Sequence, residues 1–261
     1  MKAQARYTLP GPIADFIGDA PLIADQVGES PSRVYHFTRG NDVFFLKASA
    51  AVYAPTTYSV RREAQVLQWL AGHLNVPEVV RVADNADGEF MLTRRVPGVP
   101  LQARMDDADT AIGLFGEALR QLRAVPADDC PFDAGAPMRL RELDYLLARG
   151  LCADDHDLTQ WPGLATPADL VARLHATLPR EDPAFSHGDL CDNNVFVDER
   201  DRLHFIDLGR GGVADRWQDV AFIHRNLRDI SEDAAATFLG TLDVADDPAK
   251  RRFFEQLDEL F

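Results

Sequence analysis

The sequence predicts an α+β protein of two lobes, with an N-terminal antiparallel sheet plus one helix and a mostly helical C-terminal lobe. In residues 1–97, short stretches of β-branched and aromatic residues lie between turn-forming groups, a pattern typical of strands. Two prolines and a glycine at residues 96–100 then interrupt any regular element, and beyond them apolar residues recur mainly at helical spacing. We therefore predict a first lobe at residues 1–97 and a second lobe at residues 98–261.

The first lobe is predicted to hold four strands, at residues 34–37, 43–47, 79–83 and 90–94, and one helix, at residues 59–74. Gly40, Asn41 and Asp42 favour a tight turn, so the first two strands should form an antiparallel hairpin. In the helix, Leu67 and Leu70 belong to an apolar series at helical spacing. The expected result is a small sheet with one helix.

The second lobe is predicted to contain five helices, at residues 111–124, 140–147, 217–227, 232–239 and 248–261, and one β-hairpin, at residues 194–197 and 203–207. The helices follow from apolar residues spaced three and four apart. The two strands alternate well, and the polar residues 198–201 link them. Such a hairpin would fold Asn194 back beside Asp207.

Length and composition indicate a folded protein without a membrane anchor. With 261 residues, 46% of them hydrophobic, the chain can bury a core in one large domain or two lobes. No apolar run approaches the roughly 20 residues of a membrane-spanning helix, and residues 1–20 lack the basic-then-apolar pattern of a signal peptide. Three cysteines without a CxxC pair favour reduced thiols. We expect a cytoplasmic protein that does not bind membranes.

The charge is distributed unevenly between the predicted lobes. Residues 1–97 carry 10 acidic and 10 basic side chains, whereas residues 98–261 carry 32 acidic and 17 basic ones, so the net charge of −15 lies in the second lobe. This field disfavours nucleic acid and anionic lipid, and it would concentrate a polycation near any cleft that it surrounds. Plain solubility is the alternative explanation.

The strongest chemical constellation lies at both ends of the predicted hairpin. His187-Gly188-Asp189 precedes it, Asn194 follows Asp189 by five residues, and the second strand ends in Asp207-Leu208-Gly209. Phosphoryl transfer uses such a set, because one carboxylate orients and deprotonates the attacking hydroxyl while an Asn and a second carboxylate hold Mg²⁺. We predict the first role for Asp189 and the second for Asn194 and Asp207. The spacing also resembles the protein-kinase set HRDxxxxN and DFG.

A phosphate-holding lysine with an acidic partner is then expected in the first lobe. Lys47 ends a predicted strand and Glu63 lies near the start of the next helix, so an ion pair between them could fix the ammonium against the α- and β-phosphates. An exposed surface pair is the alternative. Residues 28–34 stand where a phosphate lid would lie and contain one glycine and no GxGxxG, so Ser30 and nearby backbone N–H groups are the candidate donors.

Seven stretches of the sequence together have a pattern typical of one known family; they lie at residues 30–35, 55–58, 139–147, 185–190, 205–210, 214–217 and 257–261. Through them, nearly the whole chain resembles the aminoglycoside 3′-phosphotransferases. This resemblance implies a bilobal protein-kinase-like fold, ATP or GTP with Mg²⁺ as cofactors, and transfer of the γ-phosphate to the 3′-hydroxyl of aminoglycoside antibiotics, which confers resistance. In the nucleotide site, the resemblance implies that Phe45 stacks on the purine and that the backbone of Arg95 and Val96 pairs with the base edge.

The same resemblance implies a substrate site built from acidic groups that hold protonated amines. The residues implied are Asp157, Asp229, Glu259 and the terminal carboxylate of Phe261, with Arg210 and Arg225 lining the pocket. Asp155 is an alternative to Asp157. The acidic excess of the second lobe agrees independently, because carboxylate-to-ammonium pairs are charge-assisted and a row of them tolerates different amine patterns.

Other functions are weaker alternatives. A catalytically silent protein that sequesters a polycation is disfavoured because every catalytic position is filled. A protein kinase is disfavoured because no activation loop fits between Gly209 and Trp217. Kinases for macrolides, choline or homoserine share HGDxxxxN but are not expected to end in Leu-Asp-Glu-Leu-Phe. A monomer and a weak dimer both stay open, as do ATP and GTP as phosphate donor.

Overall fold

The computed structural model describes residues 8–25, 30–153 and 156–261. The chain divides into two units, of which the first runs as far as Gly98 and also includes His204–Arg210. The second comprises Val99–Leu203 and Gly211–Phe261. Residues 204–210, which the predicted boundary places in the second lobe, bond to the first unit: the Phe205 amide donates to the Asn75 carbonyl at 2.9 Å.

The first unit contains two α-helices and five strands in its described part: α1 (Gly11–Ile17), β1 (Ile23–Ala24), β2 (Arg33–Arg39), β3 (Asp42–Ala50), α2 (Val60–Leu70), β4 (Val79–Asn85) and β5 (Gly88–Arg94). The strands form one sheet in the order β1-β2-β3-β5-β4. Every neighbouring pair is antiparallel. Short 3₁₀ helices follow at Ala51–Tyr53 and Leu208–Arg210.

The hairpin of β2 and β3 sets the register of this sheet. Arg39 pairs with Asp42, which leaves a two-residue turn, and Gly40 adopts a φ of 62°, in the left-handed region that favours glycine. Along β3, Leu46 faces a buried apolar core while Phe45 and Lys47 stand on the other face. The core consists of Ile13, Ile17, Phe37, Phe44, Leu46, Ala48, Phe90 and Leu92.

Helix α2 begins at a good N-cap and places a carboxylate in its first turn. The Ser59 hydroxyl accepts a hydrogen bond from the Arg62 amide at 3.1 Å, and Glu63 follows in that first turn. Leu67 and Leu70 are buried, as their spacing predicts. The helix ends before Gly72, four residues short of the predicted end, since glycine is a poor helix former.

The second unit is mostly helical in its described part: β6 (Val99–Pro100), α3 (Ala108–Arg123), α4 (Ala136–Arg149), α5 (Pro167–Ala176), β7 (Pro183–Ser186), β8 (Val195–Val197), β9 (Leu203–Phe205, whose last two residues belong to the first unit), β10 (Gly212–Asp215), α6 (Trp217–Ile230), α7 (Glu232–Gly240) and α8 (Pro248–Asp258). Strand β10 pairs with β7, and β6 pairs with β8, both antiparallel. Helix α6 is largely buried and packs against α3, α7 and α8.

The α+β prediction, with a sheet-containing first part and a mostly helical second part, is confirmed. All the predicted helices and strands are present, with shifted ends. The predicted hairpin is closed by a bond from the Asp198 amide to the Arg202 carbonyl at 3.0 Å. Elements that the sequence pattern did not indicate are α1, α5, β1, β6, β7 and β10. No helix in the described part is long and apolar enough to cross a membrane.

Candidate active site

In the first unit, Lys47 is held between two carboxylates. Its Nζ lies 2.7 Å from Glu63 Oε2 and also contacts Asp207 Oδ1. The Glu63 side chain is only 6% exposed whereas that of Asp207 is 40% exposed, so Asp207 retains a face toward solvent. The structure therefore confirms the expected Lys47–Glu63 pair as a partly buried ion pair, and the alternative of an exposed surface pair is wrong.

The charge of Lys47 is stabilised by its partners. Burial alone would lower the pKa of Lys47, but the charges and hydrogen bonds of Asp207 and Glu63 outweigh it and raise the pKa above its usual value. The ammonium therefore stays charged across the physiological pH range. A fixed cation of this kind suits a phosphate group.

The segment after β9 turns sharply to present Asp207. Asp207 has a φ of 59°, a left-handed conformation that Asp tolerates better than most residues. Two residues later, a Cβ on Gly209 would lie 2.7 Å from the Thr57 carbonyl oxygen, so position 209 requires glycine. The Arg62 guanidinium donates to the Gly209 carbonyl at 2.5 Å. Helix α2 thus fixes the carboxylate-bearing turn from one side.

In the second unit, Asp189 and Asn194 are joined directly. Asn194 Nδ2 donates to the Asp189 carbonyl at 2.9 Å and to Asp189 Oδ2 at 3.2 Å. Asn194 is largely buried, at 9% exposure, and it directly precedes β8. Gly188 before the carboxylate has a φ of 82°. The side-chain N–H groups of Asn194 therefore orient the Asp189 carboxylate. The side-chain carbonyl oxygen of Asn194 takes no part in these two bonds.

Asp219 in α6 fixes the backbone of the loop that carries Asp189. Its carboxylate accepts hydrogen bonds from Ser186 Oγ at 2.8 Å and from the amides of His187 and Gly188 at 2.9 and 3.0 Å. Asp219 is 2% exposed. The sequence prediction missed this residue, although a carboxylate within the apolar pattern of α6 was an available signal.

The residues present fit a magnesium ion. Mg²⁺ prefers carboxylate and carbonyl oxygens, and it usually takes only one or two protein carboxylates together with substrate phosphates. Asp207 offers a partly exposed carboxylate and Asn194 an amide carbonyl. Within the described ranges no group of three or more His, Cys, Asp or Glu side chains could hold a metal alone. Each of these residues has the chemistry of one of the few protein ligands that Mg²⁺ needs when nucleotide phosphates supply the others.

The residues predicted to contact a nucleotide lie at separate places in the first unit. Phe45 shares the Lys47 face of β3, and its ring centroid lies 6.0 Å from that of His36. The Arg95 amide donates to the Val43 carbonyl at 3.0 Å, so this N–H belongs to the sheet. Val96 is buried. Ser30 Oγ accepts a hydrogen bond from the Ser32 amide at 3.1 Å, while residues 28 and 29 lie outside the described part.

The predicted substrate carboxylates are arranged in different ways. Asp157 is exposed, and one of its oxygens accepts bonds from Thr159. Glu259 accepts hydrogen bonds from the amide of Asp157 and from two side chains of the same loop. Asp229 is exposed near the end of α6. Asp155, the alternative to Asp157, lies outside the described residues.

The remaining predicted substrate residues are Arg210, Arg225 and Phe261. Arg225 Nη1 donates to Asp258 Oδ2 at 2.8 Å. Burial would lower the Arg225 pKa, but the carboxylates of Asp258 and Asp189 raise it. The Arg139 guanidinium lies over the Phe261 ring, with Cζ of Arg139 3.6 Å from the centroid of the ring. Arg210 belongs to the first unit, where it donates to the Tyr58 hydroxyl at 3.4 Å.

Cys191 should resist alkylation in the native protein. Its thiol is partly buried, and burial followed by the Asp189 charge raises the pKa to about 12. Because the thiolate is the reactive form, iodoacetamide at pH 8 should label Cys191 about 100-fold or more slowly in the native protein than in guanidinium. Mass spectrometry of the labelled peptides measures this. Equal labelling rates in both conditions would contradict the buried, protonated thiol.

Known proteins with similar sequences and structures cover nearly all of this chain. A model of the phosphotransferase enzyme family matches residues 25–254. The chain is 40% identical over 257 residues to an aminoglycoside 3′-phosphotransferase of Acinetobacter baumannii, covering 97% of this chain and 99% of the relative. Another relative with that name, from Enterococcus faecalis, is 36% identical, and the match covers 92% of this chain and 93% of the relative. A crystal structure of an aminoglycoside-3′-phosphotransferase of type VIII matches with a TM-score of 0.81 at 30% identity, covering 96% of this chain and 97% of its own.

Proposed function

Because the chain belongs to the phosphotransferase enzyme family, we propose that it transfers the γ-phosphate of ATP to the 3′-hydroxyl of aminoglycoside antibiotics and thereby confers resistance. Relatives similar over almost their full length carry the name aminoglycoside 3′-phosphotransferase, which supports this substrate class. The observation that carries the proposal is the pair of bonds from the Asn194 amide to Asp189. These bonds fix the Asp189 carboxylate, which is the candidate acceptor for the proton of a hydroxyl. The side-chain carbonyl oxygen of Asn194 is the candidate ligand of a cation.

Lys47 is assigned to the phosphates of the nucleotide. Its ammonium is kept charged by Glu63 and Asp207, so it can bind the α- and β-phosphates without taking up or losing a proton. We assign Phe45 to stacking on the purine and the Ser30 hydroxyl to a phosphate oxygen. At the base edge, the Val96 amide and the Arg95 carbonyl are the candidate groups, since the Arg95 amide bonds to Val43. ATP is the expected donor, and GTP is the alternative.

Asn194 and Asp207 are assigned to Mg²⁺. When bound, the ion would neutralise the charge of the β- and γ-phosphates and so favour transfer of the γ-phosphoryl group. Asp207 would contribute its partly exposed carboxylate and Asn194 its side-chain carbonyl. At the same time, the N–H groups of Asn194 hold Asp189 in place. One side-chain amide would therefore both bind the ion and position the Asp189 carboxylate.

Asp189 is assigned to the attacking hydroxyl. Its carboxylate would accept a hydrogen bond from the 3′-hydroxyl and take the proton as the oxygen forms its bond to the γ-phosphorus. The bond between the γ-phosphorus and the β–γ bridging oxygen breaks, and ADP leaves. Asp219 holds the backbone around Asp189 through three hydrogen bonds, so the carboxylate needs little reorganisation.

The polycationic substrate is assigned to the acidic second part of the chain. Residues 98–261 carry 32 acidic and 17 basic side chains, which favours a sugar with several ammonium groups over a neutral one. We assign direct or indirect contacts with these groups to Asp157, Asp229, Glu259 and Phe261. Arg225 and Arg210 are also assigned to the substrate, as the resemblance implies. We also assign the enzyme to the cytoplasm, where ATP is available to it.

A panel assay tests the proposed function. ADP release should depend on an added aminoglycoside and on Mg²⁺, with kanamycin and neomycin as the first substrates. Choline, homoserine and a macrolide serve as matched hydroxyl-bearing controls and should give no release above the rate without acceptor. Activity with one of these controls and none with the aminoglycosides would contradict the proposal.

A further inference from the structure

One guanidinium on α2 reaches the turn that carries Asp207. Arg62 lies in the first turn of α2, and its Nη1 donates a hydrogen bond to the Gly209 carbonyl at 2.5 Å. Gly209 stands two residues beyond Asp207 and is buried. A charged donor makes a stronger hydrogen bond than a neutral one. This contact therefore ties the backbone just after Asp207 firmly to α2.

The chain around Asp207 is anchored on both sides. After it, Gly209 packs against α2, because a Cβ built on this glycine would lie only 3.7 Å from Cβ of Glu63. Before it, the Phe205 amide donates to the Asn75 carbonyl at 2.9 Å. The first anchor is a bond between two backbone groups, which any sequence could make. The second depends on one particular side chain, the α2 guanidinium.

Asp207 needs such anchors to keep its carboxylate in one direction. Its φ of 59° is in the left-handed region, which a residue with a side chain occupies when its surroundings impose it. The side chain is 40% exposed and contacts the Lys47 ammonium. An ammonium is a compact charge with rotatable donors, so it attracts a carboxylate without fixing its orientation. The direction of the solvent-facing side of the carboxylate therefore depends on the backbone of the turn.

We propose that Arg62 is a positioning residue that orients the Asp207 carboxylate and thereby sets the affinity of the site for the divalent cation. The proposal rests on the proposed function, which assigns Asp207 to Mg²⁺. Mg²⁺ requires near-ideal octahedral geometry at about 2.0–2.1 Å, so a small rotation of a ligand weakens its binding. Residues that orient a metal ligand typically change metal affinity by about 10-fold to 100-fold.

Arg61 provides a matched control from the same turn of the helix. Its guanidinium pairs with Asp84 on β4 and lies 3.9 Å from Glu89 on β5. Arg61→Met therefore removes one positive charge from α2, as Arg62→Met does, without removing the bond to Gly209. A loss that depends only on the charge of the helix would occur equally in both variants.

Arg62→Met and Arg62→Lys test the proposal. Methionine removes every donor, whereas lysine keeps a cation that reaches less far. Mn²⁺ takes the same oxygen ligands as Mg²⁺, and electron paramagnetic resonance measures its binding to the protein with the β,γ-imido analogue of ATP. We expect the Kd for Mn²⁺ to rise about 10-fold in Arg62→Met and about threefold in Arg62→Lys. In Arg61→Met it should stay within about twofold of wild type.

Binding of the same analogue in EDTA separates positioning from general damage to the nucleotide site. Lys47, which is assigned to the phosphates, lies 2.7 Å from Glu63, and Arg62→Met leaves this pair in place. Calorimetry should therefore give a Kd for the metal-free analogue within about twofold of wild type. An unchanged Kd for Mn²⁺ in Arg62→Met overturns the proposal, and so does an equal loss of affinity with and without metal. If Arg62→Met does not fold, an unchanged Kd for Mn²⁺ in Arg62→Lys overturns it instead.

These measurements need no acceptor, so they distinguish this proposal from the proposed substrate. If wild-type protein binds Mn²⁺ with the analogue but phosphorylates no aminoglycoside, the proposed acceptor is wrong and the Arg62 variants still decide the positioning role. If wild-type protein shows no metal-dependent binding of the analogue, the metal role of Asp207 and the proposal for Arg62 are both wrong.

Discussion

Replacing Asp189 by alanine should lower kcat by about 1,000-fold, within the range typical for loss of a positioned general base. The KM for ATP and for kanamycin should stay within a few-fold, because Asp189 is assigned to the transferred proton and not to substrate binding. Steady-state ADP release measures both constants. A purified variant with an unchanged melting temperature ensures that the loss reflects chemistry.

A matched change in the same loop controls for general disturbance. Asp192→Asn alters a half-buried carboxylate three residues away, and it should keep kcat within a few-fold of wild type. If Asp189→Ala keeps more than a tenth of the wild-type kcat, or if cells carrying it stay fully resistant, the base assignment is wrong. Full resistance without turnover would favour the alternative that the protein sequesters the antibiotic.

Replacing Lys47 by methionine should have two separable effects. The nucleotide loses its fixed cation, so kcat/KM for ATP should fall about 100-fold to 1,000-fold, as for removal of one electrostatic contact in an active site. The protein also loses the partner of Glu63, whose side chain is 6% exposed. An unpaired buried carboxylate should reduce the free energy of unfolding by about 3 kcal/mol, measured with urea.

Two further variants distinguish these effects. Lys47→Met combined with Glu63→Gln removes the unpaired buried charge, so it should recover most of the stability and none of the activity. Lys250→Met is the matched control, because Lys250 pairs with the buried Asp215 at 2.5 Å in the second unit. It should lower stability and leave kcat/KM for ATP near wild type. Recovery of activity in the Lys47→Met double variant would contradict the phosphate role of Lys47.

The sequence predicted those parts of the fold and site that depend on local pattern. Strand β3 could be found because apolar residues alternate, and the same alternation places Lys47 on the face opposite Leu46. Helix α2 could be found from its leucine spacing, and its first turn carries Glu63. The five-residue spacing between Asp189 and Asn194 brings the amide to the carboxylate. In each case the position of the side chain is determined within a single element or a single loop.

The parts that the sequence did not predict depend on contacts between distant segments. Strands β7 and β10 are each four residues long, which is too short for a clear alternation of apolar and polar residues. They are stabilised by pairing with each other, although a hairpin lies between them in the chain. The role of Asp219 depends on the packing of α6 against the Asp189 loop. Glu259 and Trp161 meet because α8 ends beside a loop 98 residues earlier in the chain. Residue spacing carries no signal for such contacts.

The position of the transferred phosphate tests the central claim most directly. Wild-type protein is incubated with kanamycin, ATP and Mg²⁺, and the product is mapped by two-dimensional NMR that correlates ³¹P with ¹H. The account predicts one new phosphomonoester signal that couples to the proton on the 3′ carbon. A phosphate on a different hydroxyl, or ADP and inorganic phosphate with unmodified kanamycin, would contradict it.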